Sequence, residues 1–306
     1  MSARLSQKLV LGSRGSELAR RQTALVETAF RHAWPELELV TQIISTRGDL
    51  RTVEPLDPRA GRKGLFTGEI ERALAADEID LAVHSAKDLP SEMTRGLELA
   101  AVLPRAPGED VLIGKASTEA GGAIATGSVR RRHQLQWKYP GIEVVDLRGN
   151  VPTRLRKLLE SDWQAIVLAR AGLERLGYDL STGVFDFEGA VLHVQRLSEM
   201  DFLPAGGQGI IALQVRSDGE NAKKIAGAVN DREAFWCLRA EREFLRLLQG
   251  DCGSPVGVRA IITGSKMTLR AQVFEPPRIE PRSACVEGDA ASADELAREL
   301  WEGING

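Results

Sequence analysis

Between residues 8 and 90 the chain alternates short apolar runs with stretches of helical period, and this rhythm constrains the fold more than any other feature of the sequence. "KLVLG" (8–12) reads as a buried strand, and "SELARRQTALVETAFRHAW" then repeats Leu18, Ala19, Ala24, Leu25 and Phe30 at helical spacing. "LELVTQII" (37–44) is the next strand. "GLFTGEIERALAADE" sets Phe66, Ile70 and Leu74 on one helical face, and "IDLAVHSAKDLP" follows as strand then loop. Strand–helix alternation of this kind predicts a parallel sheet with helices on both sides.

The rhythm returns in "AIATGSVRRRHQLQW", "IEVVDLRGNVPTRLRKLLE" and "QAIVLARAGLERLG", three strand–loop–helix units between 123 and 177. "LPAGGQGIIALQVR" (203–216) is a glycine-rich turn entering a strand. A long helix is predicted over about 231–249, starting at Asn230/Asp231 and stopped by Gly250. The tail reads as a small sheet ("VGVRAIITG", "MTLRAQVFE", "RSACVEGD") closed by the amphipathic "SADELARELWEG". A chain of 306 residues exceeds one ordinary core, and joints are expected near Pro104–Pro107, Arg196–Met200 and 217–222.

Ligands of open α/β sheets sit where strand ends lead into helix starts. Those places are unusually basic here. Arg14 and Ser16 follow the first strand, and Lys87 and Asp88 follow "LAVHS". Ser128, Arg130, Arg131 and Arg132 follow "AIATG", Arg148 and Arg154 flank the next helix start, and Arg170 and Arg175 the one after. A helix N-terminus carries about half a positive charge, so each arginine there costs about 0.3–1 kcal/mol unless an anion compensates. Of the 40 basic residues only nine are lysines, and arginine forks among free N–H groups suit carboxylates or phosphates. Any single arginine could instead point to solvent. The repetition in adjacent units predicts a ligand with several carboxylates or phosphates.

Asp88 is the one acid in this ring; it either caps the turn before Pro90 or faces cationic chemistry and proton transfer. His84, inside a strand, reads as a packed, hydrogen-bonded core histidine, and Phe235 and Trp236 as helix core. The three cysteines (237, 252, 285) and four histidines have no disulfide or metal spacing, so no metal is expected. Core packing accounts for Cys237 and Cys285. Cys252, in "LQGDCGSPVG", stands apart in a glycine-bracketed loop and is either a chance loop thiol, a nucleophile or an attachment point. "GSRGS" and "GGQG" are not dinucleotide fingerprints, and no phosphate-binding GxxxxGK[ST] occurs. A net charge of −3, no signal-peptide pattern and no apolar run of membrane-spanning length predict a cytoplasmic protein with neither nucleic-acid nor membrane partners.

"VHSAKDLP", "TGSVRRRHQL", "DLRGNVPTRL", "LPAGGQG" and "GDCGSPVG", with "GSRGSELARRQ", "STRGD" and "GRKGLFTGEIE" near the start, resemble the porphobilinogen deaminase (hydroxymethylbilane synthase) family over about residues 8–260. The resemblance implies an α/β fold of three domains: two lobes like those of periplasmic binding proteins (1–103 with 197–217, and 106–194) and a small α+β C-terminal domain (222–306). It implies a monomeric transferase of tetrapyrrole biosynthesis that joins four porphobilinogen molecules head to tail and releases ammonia at each step. The primer would be a dipyrromethane held by a thioether to Cys252. Asp88 matches the catalytic carboxylate. Lys87, Ser128, Arg130, Arg131 and Arg154 match residues that hold the carboxylate arms of primer and chain. Arg14, Ser16, Arg148, Arg154 and Arg175 match those gripping the incoming substrate, and residues 46–64 resemble a mobile loop over the cleft. The chain departs from the family at Ala86, Gly127, Asp251 and Gly253–Ser254, where bulkier, hydroxyl-bearing or different polar residues are common. A non-enzymatic two-lobed binding protein for carboxylates or other anions is the alternative; it would call for a signal peptide and have no use for Cys252. A phosphate-handling transferase would need a nucleotide or metal signature.

Overall fold

The computed structural model describes residues 8–46, 48, 65–116, 122–249 and 254–306. Strands β1 (Lys8–Ser13), β2 (Glu38–Ile43), β3 (Leu81–Ser85) and β4 (Leu97–Val102), with the late strand β11 (Ile211–Arg216), form one five-stranded sheet in the order β2-β1-β3-β11-β4. Helices α1 (Glu17–Ala33) and α2 (Gly68–Ala75) pack against it. A second sheet, in the order β7-β6-β8-β5-β10-β9, comprises β5 (Asp110–Gly114), β6 (Ile124–Ala125), β7 (Val144–Val145), β8 (Ala165–Ala169), β9 (Val184–Phe187) and β10 (Ala190–Arg196). Its helices are α3 (Val129–Lys138), α4 (Val151–Glu160) and α5 (Arg170–Arg175). The chain crosses between these lobes twice, at 103–109 and again at 197–210. Helix α6 (Glu220–Gly227) follows, and then the third domain: α7 (Arg232–Leu247), strands β12 (Val256–Thr263), β13 (Lys266–Val273) and β14 (Arg282–Asp289), and α8 (Ala293–Asn305).

The architecture is the expected pair of α/β lobes with a small α+β domain, but neither large sheet is purely parallel. β1 runs parallel to β2 and β3, whereas β11 runs antiparallel to β3 and β4. In the second lobe β5 is antiparallel to β8, and β10 to β5 and β9. The reversed strands include those that enter just after a crossing. An apolar run signals burial but carries no information about direction.

The expected start of the third domain at 222 falls inside α6. Ala222, Ile225 and Ala226 belong to the same core as Leu9, Leu11 and Phe30 of the first lobe, and Trp34 Nε1 donates to Ile225 O at 3.1 Å. The predicted helix stop at Gly250 lies outside the described residues. Within them α7 ends through Leu248 and Gln249, whose φ of 54° already turns left-handed. Cys237 is buried, as expected. Cys285 is not: it lies exposed on β14, where alternate residues face outward. Phe235 and Trp236 are half-buried against two apolar clusters.

What holds the third domain in place is the carboxylate of Glu241, fully buried on α7. It accepts from both Nη atoms of Arg105 on the first crossing (2.6 and 3.2 Å), from Gly207 N on the second (2.6 Å), and from Ala260 N on β12 (2.8 Å). Nearby, Arg259 of β12 reaches Glu199 of the second crossing at 3.2 Å. The domain therefore grips both crossings. The glycine-rich turn makes room for this: a Cβ on Gly209 would sit 2.3 Å from Ala106 O, and that glycine also has a φ of 87°. Glu241→Ala strands a buried guanidinium and two amides, and is expected to cost roughly 3–5 kcal/mol in urea denaturation. Glu241→Gln, which keeps an acceptor oxygen, should lose less.

Candidate active site

Each candidate side chain is placed by a strand end or a helix start. Ser16 caps α1, accepting from Ala19 N at 3.3 Å; Ser128 caps α3, accepting from Arg131 N at 3.4 Å. Asn150 caps α4 by accepting from Thr153 N at 2.9 Å. Beyond β3 a single 3-10 turn, Ala86–Asp88, carries Lys87 and Asp88. Ala86 is buried and lies close to Gly207: a Cβ on that glycine would come 2.9 Å from the Ala86 Cβ, so the small residues at 86 and 207 fit each other. A Cβ on Gly127 would come 2.4 Å from Leu147 O, so glycine lets the turn before α3 pass against the next strand end. Asp251 and Gly253 lie outside the described residues, as does Cys252. Of the expected loop 46–64, only Thr46 and Gly48 are described.

Two cavities meet at Lys87. The first is lined by Arg14, Ser16, Gln22, Phe66, His84, Lys87 and Asp88. Within it Arg14 Nη1 stands 3.9 Å from Asp88 Oδ2, and its guanidinium stacks over Phe66, 4.3 Å from the ring centre. The second lies where both lobes and the third domain converge; Lys87, Ser128, Arg130, Arg242 and Ser254 contribute to it, and no carboxylate does among the described residues.

The arginines divide into two groups. Arg130 and Arg131 are buried, and both bind one fully buried carboxylate, Asp110, at the start of β5. Arg130 Nη2 reaches it at 2.9 Å and Arg131 Nη2 at 2.8 Å, while Gln208 Nε2 adds a bond of 2.8 Å. Burial would raise the pKa of this carboxyl. The two guanidiniums and the hydrogen bonds outweigh that and hold it well below the usual carboxylate range. The helix-start charge of α3 is therefore balanced in large part by the protein itself. Arg132 and Arg170 are outside the site, paired with Asp146 and with Glu109 and Glu174.

The second group has no such counterion. Among the described residues Arg148, Arg154 and Arg175 form no ion pair, and neither does Lys87. Arg154 donates from Nε to Gly149 O at 2.7 Å, and Arg175 from Nη2 to Gly209 O at 2.6 Å. Burial, with repulsion from Arg131 and Arg148, brings the Arg154 guanidinium down to about 10, opposed by attraction to Asp88. Burial alone brings Arg175 to about 10. Burial and then repulsion from Arg131 push the Lys87 ammonium down to about 8. Such shifts record positive charge crowded into a desolvated space, which an anionic ligand would relieve. Arg154 of the second lobe is thus electrostatically coupled to Asp88 of the first.

Sequence reasoning missed Asp110, Gln208, Glu241, Gln22 and Phe66. Two signals were available. Asp110 is an acid opening the apolar strand "DVLIG", and Glu241 sits at helical spacing among Ala234, Leu238 and Phe244. Gln22 gave none; its amide meets Ser85 Oγ at 2.8 Å across the sheet, just ahead of the turn that bears Asp88. Cys237 is no candidate nucleophile, because burial pushes its thiol up to about 12. No group of His, Cys, Asp and Glu among the described residues could hold a metal ion.

His84 is the packed histidine expected from its strand. Its Nε2 lies 3.0 Å from Gln214 Oε1, and Gln214 Nε2 donates to Glu71 Oε1 at 2.9 Å. Since that amide's nitrogen is committed to Glu71, its oxygen accepts and His84 Nε2 carries the proton. Burial lowers the imidazole pKa to about 4, and Arg14 and Arg242 add repulsion. The group is neutral in the fold, so below its unfolded pKa of about 6.5 only the unfolded chain gains a proton. Stability should therefore fall by roughly 3 kcal/mol from this residue as pH drops from about 6.5 to 4. His84→Gln should flatten the stability profile in that window, as followed by urea midpoints at several pH values. At lower pH the Asp110 cluster should fail as its carboxylate is protonated, a loss that begins below about pH 4.

Residues 9–224 match the family model "Porphobilinogen deaminase, dipyromethane cofactor binding domain", and residues 235–305 match "Porphobilinogen deaminase, C-terminal domain". Among curated relatives, the porphobilinogen deaminase of Roseiflexus sp. (strain RS-1) is 42% identical over 275 residues, covering 88% of this chain and 86% of that protein. That of Thermus thermophilus is 39% identical over 298 residues, covering 95% and 93%. Among solved structures, the methionine binding protein MetQ is similar with a TM-score of 0.42 at 11% identity, over 75% of this chain and 92% of that one. With both family models matched and relatives at this identity aligned over most of its length, the chain belongs to the porphobilinogen deaminase family.

Proposed function

We propose that this chain joins four porphobilinogen molecules head to tail into the linear tetrapyrrole hydroxymethylbilane, releasing ammonia at each step, on a dipyrromethane held through Cys252. What supports the site assignment is a set of cations that form no ion pair among the described residues, Lys87, Arg148, Arg154 and Arg175; Lys87, Arg154 and Arg175 are desolvated, and Lys87 and Arg154 lie within electrostatic reach of Asp88. Porphobilinogen carries two carboxylates, and every unit added brings two more.

The residues present suit the cofactor. The cavity beside Ser254 offers two guanidiniums, an ammonium and serine hydroxyls, with no acid among the described residues that line it. Arg130 lines this cavity, and its buried Nε has no hydrogen-bond partner. Lys87, Ser128, Arg130, Arg131 and Arg154 would hold the acidic arms of the dipyrromethane. When bound, that group supplies the free pyrrole α-carbon to which substrate is joined.

The remaining work falls to the chain's own side chains. Arg14, Arg148 and Arg175, with Ser16, hold the substrate carboxylates and fix the aminomethyl carbon near Asp88. The carbon–nitrogen bond breaks and ammonia leaves, so positive charge develops on the substrate ring. The Asp88 carboxylate stabilises that charge and then takes the proton released as the new carbon–carbon bond forms. Arg14, against Asp88 on one side and Phe66 on the other, keeps the carboxylate oriented. Domain bounds for this reading are about 8–103 with 197–227 for the first lobe, 106–196 for the second and 231–306 for the third.

The intact mass of purified protein tests the assignment. An excess of about two pyrrole units that vanishes in Cys252→Ser is expected; the bare sequence mass in the wild-type chain would count decisively against it. Asp88→Asn should melt as the parent does yet release ammonia from porphobilinogen about 10²- to 10⁴-fold more slowly. Ammonia release within twofold of the parent would remove Asp88 from its role.

A further inference from the structure

The turn that bears Lys87 and Asp88 belongs to the first lobe, yet its exit is held by the third domain. Helix α7 carries Ala234, Leu238 and Arg242 on one face, each four residues after the last. Ala234 and Leu238 share a buried cluster with Ala86 and Leu89, the residues that flank Lys87 and Asp88. Arg242 continues the same contact in polar form. Its Nη2 donates to Pro90 O (2.8 Å), Ser91 O (3.2 Å) and Met93 Sδ (3.0 Å). Three acceptors from the short segment that follows Asp88 thus converge on one guanidinium nitrogen.

Both ends of this tie are built to transmit position. On the helix, Arg242 adjoins Glu241, the fully buried carboxylate that grips the two crossings, so its backbone is fixed. On the loop, Ala86 N donates to Ile210 O at 3.0 Å and Leu89 N to Ala86 O at 3.2 Å. Those bonds secure the start and middle of the turn, and Arg242 secures what comes after it. A charged donor makes a carbonyl bond about twice as strong as a neutral one. Arg242 lines the cavity of Lys87, Ser128 and Arg130 but not the one at Arg14 and Asp88, so its effect on the latter passes through the turn.

We propose that Arg242 is a positioning residue for the condensation: by holding the segment after Asp88 to α7, it keeps that carboxylate in register with the helix that leads to Cys252. Arg14 orients the carboxylate, and Arg242 fixes the backbone that carries it. The inference rests on the proposed function, and one set of variants separates the two. Arg242→Gln, Arg242→Lys and Asp88→Asn are made singly, and Arg242→Gln also together with Asp88→Asn. Ammonia release is measured against porphobilinogen concentration, with intact mass and thermal melting in parallel. Arg242→Gln should keep the cofactor mass of the parent and a KM within about twofold of it, since it leaves the substrate cavity's own lining intact. Its kcat should fall about 10- to 10²-fold, the effect of misplacing a reacting group by about 1 Å. Arg242→Lys, which keeps a charged donor, should recover part of that loss. In the Asp88→Asn background Arg242→Gln should slow release by no more than about twofold, because the group it positions is already gone. A general structural defect would slow both backgrounds alike, and that result overturns the inference, as does a kcat like the parent's or loss of the cofactor mass in Arg242→Gln. If Arg242→Gln melts below the assay temperature, Arg242→Lys takes its place in both backgrounds under the same criteria. A parent with the bare sequence mass, or an Asp88→Asn variant that releases ammonia at the parent's rate, overturns the function and this inference with it.

Discussion

A carboxylate taken wholly out of water must be met by charge and hydrogen bonds or it will not stay ionised, and Asp110 is met on every side. Arg130 and Arg131 reach it from α3, and Gln208 from the second crossing. Gln208 Nε2 also donates to Gly108 O at 2.6 Å, and the Gln208 backbone carbonyl accepts from Arg105 Nε at 2.9 Å. Arg105 in turn binds Glu241 of the third domain. One polar chain thus runs from the strand end that begins the second lobe, across both crossings, to the helix that leads to Cys252. Neither lobe can shift far without breaking part of it, because its carboxylates are fully buried and have no water to replace a lost partner.

That chain changes how the basic cleft should be understood. An excess of arginines at helix starts is unfavourable by itself, and the protein answers it in two ways. Arg130 and Arg131 receive an internal anion, so their forks are already fixed when a ligand arrives, and little ordering cost is left. Arg148, Arg154, Arg175 and Lys87 receive none. They keep a positive field in a desolvated space, and only an anionic guest balances it. Pre-ordered forks beside uncompensated cations are what a site for a polycarboxylate requires, and among the described residues Asp88 is the acid that lines it.

Much of this was legible in the residues. The βα rhythm, the long helix α7 and the three-stranded tail follow from apolar spacing, since burial of one face dictates the period whatever the neighbouring elements do. Lys87, Asp88 and the arginines stood out because their sign opposes the helix dipole. What stayed hidden was partnership. Asp110 lies 20 residues before Arg130 and Glu241 lies 136 residues after Arg105. A separation of that length leaves no periodic trace. The antiparallel direction of β11 and β10 was equally silent, since an apolar run reads the same both ways.

The sequence by itself determined which segments become strands and helices, and that the strand ends would be crowded with cations. These are local properties, set by the spacing of side chains a few residues apart. Tertiary structure alone decided which cations are already neutralised and which still need a ligand, that α6 belongs to the first lobe, that Cys285 faces solvent, and that two cavities meet at Lys87. Those outcomes depend on distances between groups remote in the chain, and charge and volume in a buried space are fixed only when every wall of that space is in place.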